Sequence, residues 1–149
     1  MSRNRISNQI VQIARVKPQT GAATENSEYI DMSQEQEIVA YINTGVVETS
    51  VDAKLVQAKD SSGTDKKDVP NRAIAQITTD DGIGKIELRQ DDQLLDEANG
   101  FTFVGLEIVS AGATTEFSGQ ILGGLFNIFQ DGLGPQGYDQ ATEVVRETI

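Results

Sequence analysis

An all-β fold, a sandwich or a barrel, is predicted over residues 30–125 by three observations. Short runs rich in β-branched and aromatic residues recur at 38–42, 50–58, 74–78, 84–88, 101–109 and 117–122. Turn chemistry separates them: Asp60-Ser61-Ser62-Gly63, Asp80-Asp81-Gly82, Ala98-Asn99-Gly100 and Ala111-Gly112-Ala113. Within several runs apolar and polar residues alternate, as in Val51-Asp52-Ala53-Lys54-Leu55, the period of a strand with one face in a core. Short strands at this spacing build antiparallel sandwiches and barrels.

Taken in order, residues 6–16 place Ile6, Ile10, Ile13 and Ala14 at helix-like spacing. Their β-branching and the following Pro18 favour extended structure instead, either a strand or an arm. Residues 19–27 are small and polar and read as a loop. Residues 28–32 suit a short edge strand. Residues 37–43 are nearly continuously apolar, as in a strand buried on both faces. In 50–58 the polar Gln57 falls in the inward register, so the strand is expected to leave the core there. Residues 59–68 form a polar, mobile loop. Ile74 and Ile77 mark a short strand closed by the Asp80-Asp81-Gly82 turn. Ile86 and Leu88 alternate with Lys85, Glu87 and Arg89. Residues 91–99 suit one helical turn. Residues 101–109 are apolar on both faces and read as a central strand. Glycines 119, 123 and 124 within the apolar run 117–129 suggest a bulge or a close backbone contact. Gly132, Gly134, Pro135 and Gly137 then break regular structure. Ala141, Val144, Val145 and Ile149 suit an amphipathic helix or an extended tail that pairs with a neighbour. The organisation expected is an N-terminal basic arm at 1–24, a β domain at 25–130 and a C-terminal tail at 131–149.

With 149 residues, one core-forming domain is expected. The chain has no cysteine and no histidine. That removes disulfides, thiolate ligands, the commonest general base and every Ser-His-Asp or Cys-His site. No enzyme activity is expected. The net charge of −11 disfavours nucleic acid as a partner. No stretch approaches the ~20 apolar residues that cross a bilayer, and no secretory signal follows Met1, so neither a membrane nor an exported form is expected. The charge is uneven: residues 1–24 hold Arg3, Arg5, Arg15 and Lys17 and no acid, while residues 25–149 hold all 23 acids against eight bases.

Paired carboxylates at Asp80-Asp81, Asp91-Asp92 and Asp96-Glu97 raise glycoside hydrolysis or calcium binding. The scarcity of aromatics, with no Trp, opposes a sugar groove. None of the pairs shows the alternating acids of a calcium loop, so solvated turns are favoured. Gly82-Ile83-Gly84 and Gly132-Leu133-Gly134 lack the third glycine of a dinucleotide loop. Lys66-Lys67 sits among acids as a solvated loop. No catalytic, metal or cofactor residue is expected, and no cofactor. What remains are terminal segments with apolar β-branched residues and cations outside the main strand set, of a kind that adds to a neighbour's sheet edge. Arg3, Arg5, Ile10, Ile13, Arg15 and Lys17 are the candidate partner-binding residues.

The order of pieces in residues 29–126 resembles small β-rich virion proteins of tailed bacteriophages, of the head decoration (capsid cement) type. Ile30-Asp31-Met32 opens the body, and an apolar strand and Gly45 follow. Val51-Asp52-Ala53-Lys54-Leu55-Val56-Gln57-Ala58-Lys59-Asp60-Ser61-Ser62-Gly63 then leads to Asp68-Val69-Pro70. Ala73-Ile74-Ala75-Gln76-Ile77-Thr78 and the strand and hairpin at 101–115 complete the match. The aromatic usual near the Asp-Val position is absent here, where Lys66-Lys67 stands. The resemblance implies a jelly-roll-like sandwich, self-associating as a homotrimer, that binds the major capsid protein on the outside of the shell. The protein would be made in the host bacterial cytoplasm and reside on the virion. A head–tail connector or tail subunit, and a calcium- or carbohydrate-binding β-module, are the alternatives.

Overall fold

The computed structural model describes residues 11–35 and 37–123 of the chain. Among them, β1 (Val11–Thr20), β4 (Glu37–Thr44), β7 (Ile83–Arg89) and β9 (Glu116–Gly123) form a four-stranded sheet in the order β1-β9-β4-β7. A second sheet holds β2 (Ala23–Asn26), β5 (Ser50–Ala58), β6 (Lys67–Ala73) and β8 (Phe103–Ala111) in the order β2-β8-β5-β6. The two-residue β3 (Ile30–Asp31) also pairs with β8. Every pairing is antiparallel.

The pairings nest. β1 pairs with β9, β2 with β8, β4 with β7, and β5 with β6. That is one long hairpin rolled across two sheets, the jelly-roll arrangement. One short turn crosses from β8 in one sheet to β9 in the other. Gly112 at φ 104° makes the turn after β8, a conformation only glycine adopts without strain.

The core lies between the two inner faces. Ile13, Ile38, Ala40, Ile42, Leu88 and Ile121 come from the four-stranded sheet. They meet Val51, Leu55, Val104, Leu106 and Ile108 from the other. Each aliphatic side chain taken fully from water contributes roughly 1.5–3 kcal/mol. The glycines of β9 are close-contact positions. A Cβ at Gly119 would stand 2.7 Å from Leu106 Cδ2 and 2.9 Å from Ile108 Cδ1. A Cβ at Gly123 would stand 2.7 Å from Ile13 Cδ1.

Several expectations are corrected. Residues 11–24 supply β1 and the start of β2, so the sandwich takes in part of the expected arm. β4 is not buried on both faces: Ile38, Ala40 and Ile42 are buried, but Val39 and Tyr41 are half-buried on the outer face. Residues 74–78 form no strand; Ile77 makes a single bridge to Val51. The strand lies just before, at β6, whose first two residues fall within the stretch 59–68 read as loop. Residues 19–27, read as loop, contain β2. Gln57 does not end its strand. It is buried, its amide donates to the Asp68 carbonyl at 3.0 Å, and its Oε1 accepts from the Asp96 N–H at 2.8 Å. The expected helical turn at 91–99 is two short 3-10 turns, Gln90–Asp92 and Glu97–Asn99. The C-terminal tail lies outside the described residues.

Candidate interaction face

The four-stranded sheet turns one face to the core and the other outward. A β-bulge sets which side chains of β1 face out. Gln12 pairs with Leu122 and Ala14 with Ile121, leaving Ile13 as the extra residue. Ile13 and Ala14 are therefore consecutive and both buried. The extra residue resets the phase, so Val16 points in while Gln12 and Arg15 share the outer face. A second irregularity at Lys17-Pro18 brings Gln19 opposite Phe117. Pro18 has no N–H to lose there.

Registers place the outward residues in rows. Arg15 stands opposite Gln120, Gln120 opposite Tyr41, and Tyr41 opposite Lys85, a row across all four strands. Beside it run Gln12, Leu122, Val39 and Glu87. On the other side lie Ser118, Asn43 and Ile83. On β1, β9 and β4 this grid has no acid within it. Glu37 and Glu116 stand only at the ends of their strands, and Glu87 on β7 is held by Lys85 at 3.1 Å. A shallow depression of about 220 Å³ lies over β9, bordered by Gln12, Arg15, Pro18, Asn43, Ser118 and Gln120. In a chain of net charge −11, a neutral-to-basic face of amides, one Tyr and one Arg has the composition of an interface core, where charge is depleted and Tyr and Arg are enriched.

The cations sharpen this. Lys54, Lys59, Lys66, Lys67, Arg72, Lys85 and Arg89 all make ion pairs. Among the described residues, only Arg15 and Lys17 carry a positive charge without one. Both are exposed on β1. Lys17 borders a cleft of about 370 Å³ toward the other sheet, across from Glu25 and Glu28. Of the six candidate partner residues, the structure thus places Arg15 and Lys17 together at one open edge. Ile13 is instead wholly in the core, out of reach of any partner. Arg3, Arg5 and Ile10 lie outside the described residues. The last of these precedes Val11, which pairs with Gly123, so the chain on both sides of the described domain leaves from one corner of the sheet.

The opposite face is differently built. Glu107, only 8% exposed, lies between Lys66 at 2.8 Å and Lys54 at 3.6 Å, and Lys54 also reaches Asp68 at 2.8 Å. Tyr29 lies against Gly105 and Gly63 and donates to Asn26 Oδ1 at 3.3 Å. The hydrogen bond to Asp68 holds Lys54 above the usual lysine range, and the one to Glu107 does the same for Lys66. Burial raises Tyr29. At one end, the Lys67 ammonium sits 4.1 Å and that of Lys59 5.3 Å from the centre of the Phe101 ring, close enough for cation–π attraction. The Lys66-Lys67 pair is therefore tied into the surface rather than free in a loop.

The acid pairs serve turns. Asp80 Oδ1 accepts from the Val47 N–H at 2.8 Å. Asp92 accepts from the Arg89 N–H at 2.9 Å and from Arg72 at 3.1 Å, and the first of these is the main cause of its lowered pKa. Asp96 takes Lys67 at 2.6 Å, which lowers its pKa. Asp60 is lowered chiefly by the Thr64 hydroxyl. Among the described residues, no three acids, histidines or cysteines gather in a way that would hold a metal ion. No described helix is long and apolar enough to cross a membrane.

The outward rows were missed by sequence reasoning because they depend on cross-strand register. The signal available was the absence of acids from the alternate positions Val39, Tyr41, Asn43 and Ser118, Gln120, Leu122.

No family model matches the chain, and no curated protein matches it. Among solved structures, it is similar to the CBM22-1 xylan-binding domain from Paenibacillus barcinonensis Xyn10C. The identity is 12%, with 78% of this chain and 93% of that chain covered at a TM-score of 0.35. A likeness of that degree says nothing of ligand or site.

Proposed function

We propose that the protein is a structural component of a phage particle that binds the outside of the capsid as an oligomer and braces contacts between major capsid subunits. The observation that carries this reading is the pair Arg15 and Lys17. They are the unpaired cations of an otherwise acid-rich described domain, set on one sheet edge beside an outer face whose acids are confined to β7 and to the ends of β4 and β9. A binding protein leaves charges unpaired where a partner supplies the counter-charge. The two cations continue into Arg3 and Arg5, which extend the same positive contact along the chain. Repeated on a symmetric shell, modest contacts of this kind add through avidity. The order of strands and turns resembling decoration proteins supports the same reading.

The test is co-sedimentation of the protein with undecorated capsids, followed by counting copies per particle. Hundreds of copies are expected; about a dozen would mean a connector or tail part. Removing residues 1–10 spares β1, whereas removing 1–17 would take most of that strand from the sheet. If the chain lacking residues 1–10, and also carrying Arg15→Ala and Lys17→Ala, decorates capsids as tightly as the intact protein, the basic contact is not the one that binds.

A further inference from the structure

We infer that the outer face of the four-stranded sheet receives the C-terminal segment, residues 131–149, of a second copy of this chain. The inference rests on the self-associating reading above, and the experiment separates the two.

The face offers Arg15 and Lys85 around the amides Gln12, Gln120 and Asn43 and the ring of Tyr41, with Lys17 on the adjoining edge and carboxylates of the central strands only at their ends, Glu37 and Glu116. Residues 131–149 carry the matching chemistry: Asp131, Asp139, Glu143 and Glu147 against the single Arg146, with Val144, Val145 and Ile149 between them. The acids meet unpaired cations, and the apolar residues meet Val39, Leu122 and the Tyr41 ring, which are half-buried in the isolated domain. Reach is sufficient. The chain continues for 26 residues past Gly123, at most about 94 Å if extended. Gly123 pairs with Val11, so each copy's acidic segment departs beside its own basic residues. Copies that exchange these segments bring unlike charges together at every junction, which offsets the repulsion expected between bodies of net charge −11. One segment docking on the next copy is a head-to-tail contact, which closes into a ring when the rotation permits.

The test is a charge swap in the full-length chain. The association constant of the intact protein is measured by sedimentation over a range of concentrations. It is then measured for Arg15→Glu with Lys17→Glu, for Asp139→Lys with Glu143→Lys and Glu147→Lys, and for all five together. Each set alone is expected to weaken association at least tenfold. The combination is expected to recover most of that loss. All five positions are either exposed on β1 or lie outside the described domain, so circular dichroism should report an unchanged β fold. Three results would overturn the inference: either set leaving association unchanged, the combined variant recovering nothing, or the tail set loosening amide exchange on β4 and β9 in a chain that stays monomeric at all concentrations. The last means the segment covers its own face. Capsid co-sedimentation of the same variants reads the proposed function independently: a variant that no longer self-associates yet still decorates shells supports the inference and refutes only the reading that the protein binds the capsid as an oligomer.

Discussion

The backbone N–H of Arg15 donates to the Glu28 carboxylate across 3.0 Å. Arg15 lies on β1, an outer strand of its sheet, and an edge of unpaired backbone groups is a template for unwanted strand pairing. A carboxylate that occupies one of those donors blunts the edge and adds a negative charge to it. Glu28→Ala is expected to cost no more than about 1 kcal/mol, because the freed N–H is reached by water. It is also expected to raise aggregation at high salt, where net-charge repulsion is screened. Urea unfolding and light scattering read the two effects. Scattering equal to that of the parent protein would show that Glu28 does not guard this edge.

Gln57 is a polar residue on which the core depends. Its amide closes onto the Asp68 carbonyl and the Asp96 N–H, tying β6 and the loop before β8 to β5. Gln57→Leu adds apolar surface yet strips two backbone groups of their partner. The expected loss is about 1–3 kcal/mol. An unchanged or higher urea midpoint would mean that water or a rearranged loop replaces both bonds.

Gly119 is required for space. A methyl group there meets Leu106 and Ile108, both wholly buried, and the Tyr41 carbonyl at 3.3 Å. The buried side chains have little room to yield. Gly119→Ala is expected to destabilise by about 1–3 kcal/mol. Gly100→Ala is the contrast: a Cβ there meets no atom within 4 Å, but φ is 87°, so its cost comes from backbone strain alone. If Gly119→Ala is neutral in thermal melts, the packing between the sheets is looser than these distances imply.

These positions show what the sequence could and could not disclose. β5 and β7 were legible because alternation and flanking turn residues agree in each, and β8 and β9 because each is an apolar run that follows or precedes turn residues. β2 and β6 were not. Both are outer strands, and Ala23-Thr24-Glu25-Asn26 and Lys67-Asp68-Val69-Pro70-Asn71-Arg72-Ala73 bury almost nothing beyond Val69. A strand with two wet faces has no hydrophobic period to read. Ile74 and Ile77 drew the assignment instead, since they pack on the core without a ladder of their own. Gln57 misled because polarity in the inward register suggests an exit, whereas its partners lie 11 and 39 residues away. At the candidate face, Arg15 and Lys17 were legible as charge asymmetry. The grid around them was not, because the Ile13 bulge and the β9 register decide which side chains share a surface.

Stability should decline at both ends of the pH scale. Asp60, Asp92 and Asp96 have lowered pKa values in the fold. Their contribution is present above the unfolded value of about 3.8 and is lost as pH falls through the lower folded values. Lys54, Lys66 and Tyr29 are raised. Their contribution is complete below the unfolded values, about 10 for Tyr and 10.5 for Lys, and is lost as pH rises through the folded ones. The pairs are largely exposed, so each effect is small and salt-sensitive. Urea midpoints should be flat near neutrality and fall below pH 4 and above pH 10. Asp96→Asn should flatten the acid limb. An acid limb of the same steepness in that variant would assign the loss to other carboxylates.

Tyr41 tests the outer face most directly. It stands between Gln120 and Lys85 in the row that begins at Arg15, and its side chain is half-buried without belonging to the core. Tyr41→Asp places a carboxylate in the middle of the central strands, whose own acids, Glu37 and Glu116, stand only at the strand ends, and removes the one aromatic ring of the grid. Buried against a partner, that charge is left unpaired and must be desolvated. Binding to capsids, or to further copies of the chain, should weaken at least tenfold, about 1.4 kcal/mol or more. Val109→Asp is the control: Val109 lies on β8 in the other sheet and is 37% exposed, so a carboxylate there changes net charge equally without touching the face. If the two variants weaken binding alike, charge alone is responsible and the face is not the surface that binds. If only Tyr41→Asp weakens it while both keep the β spectrum of the parent protein, the partner contacts the row from Arg15 to Lys85.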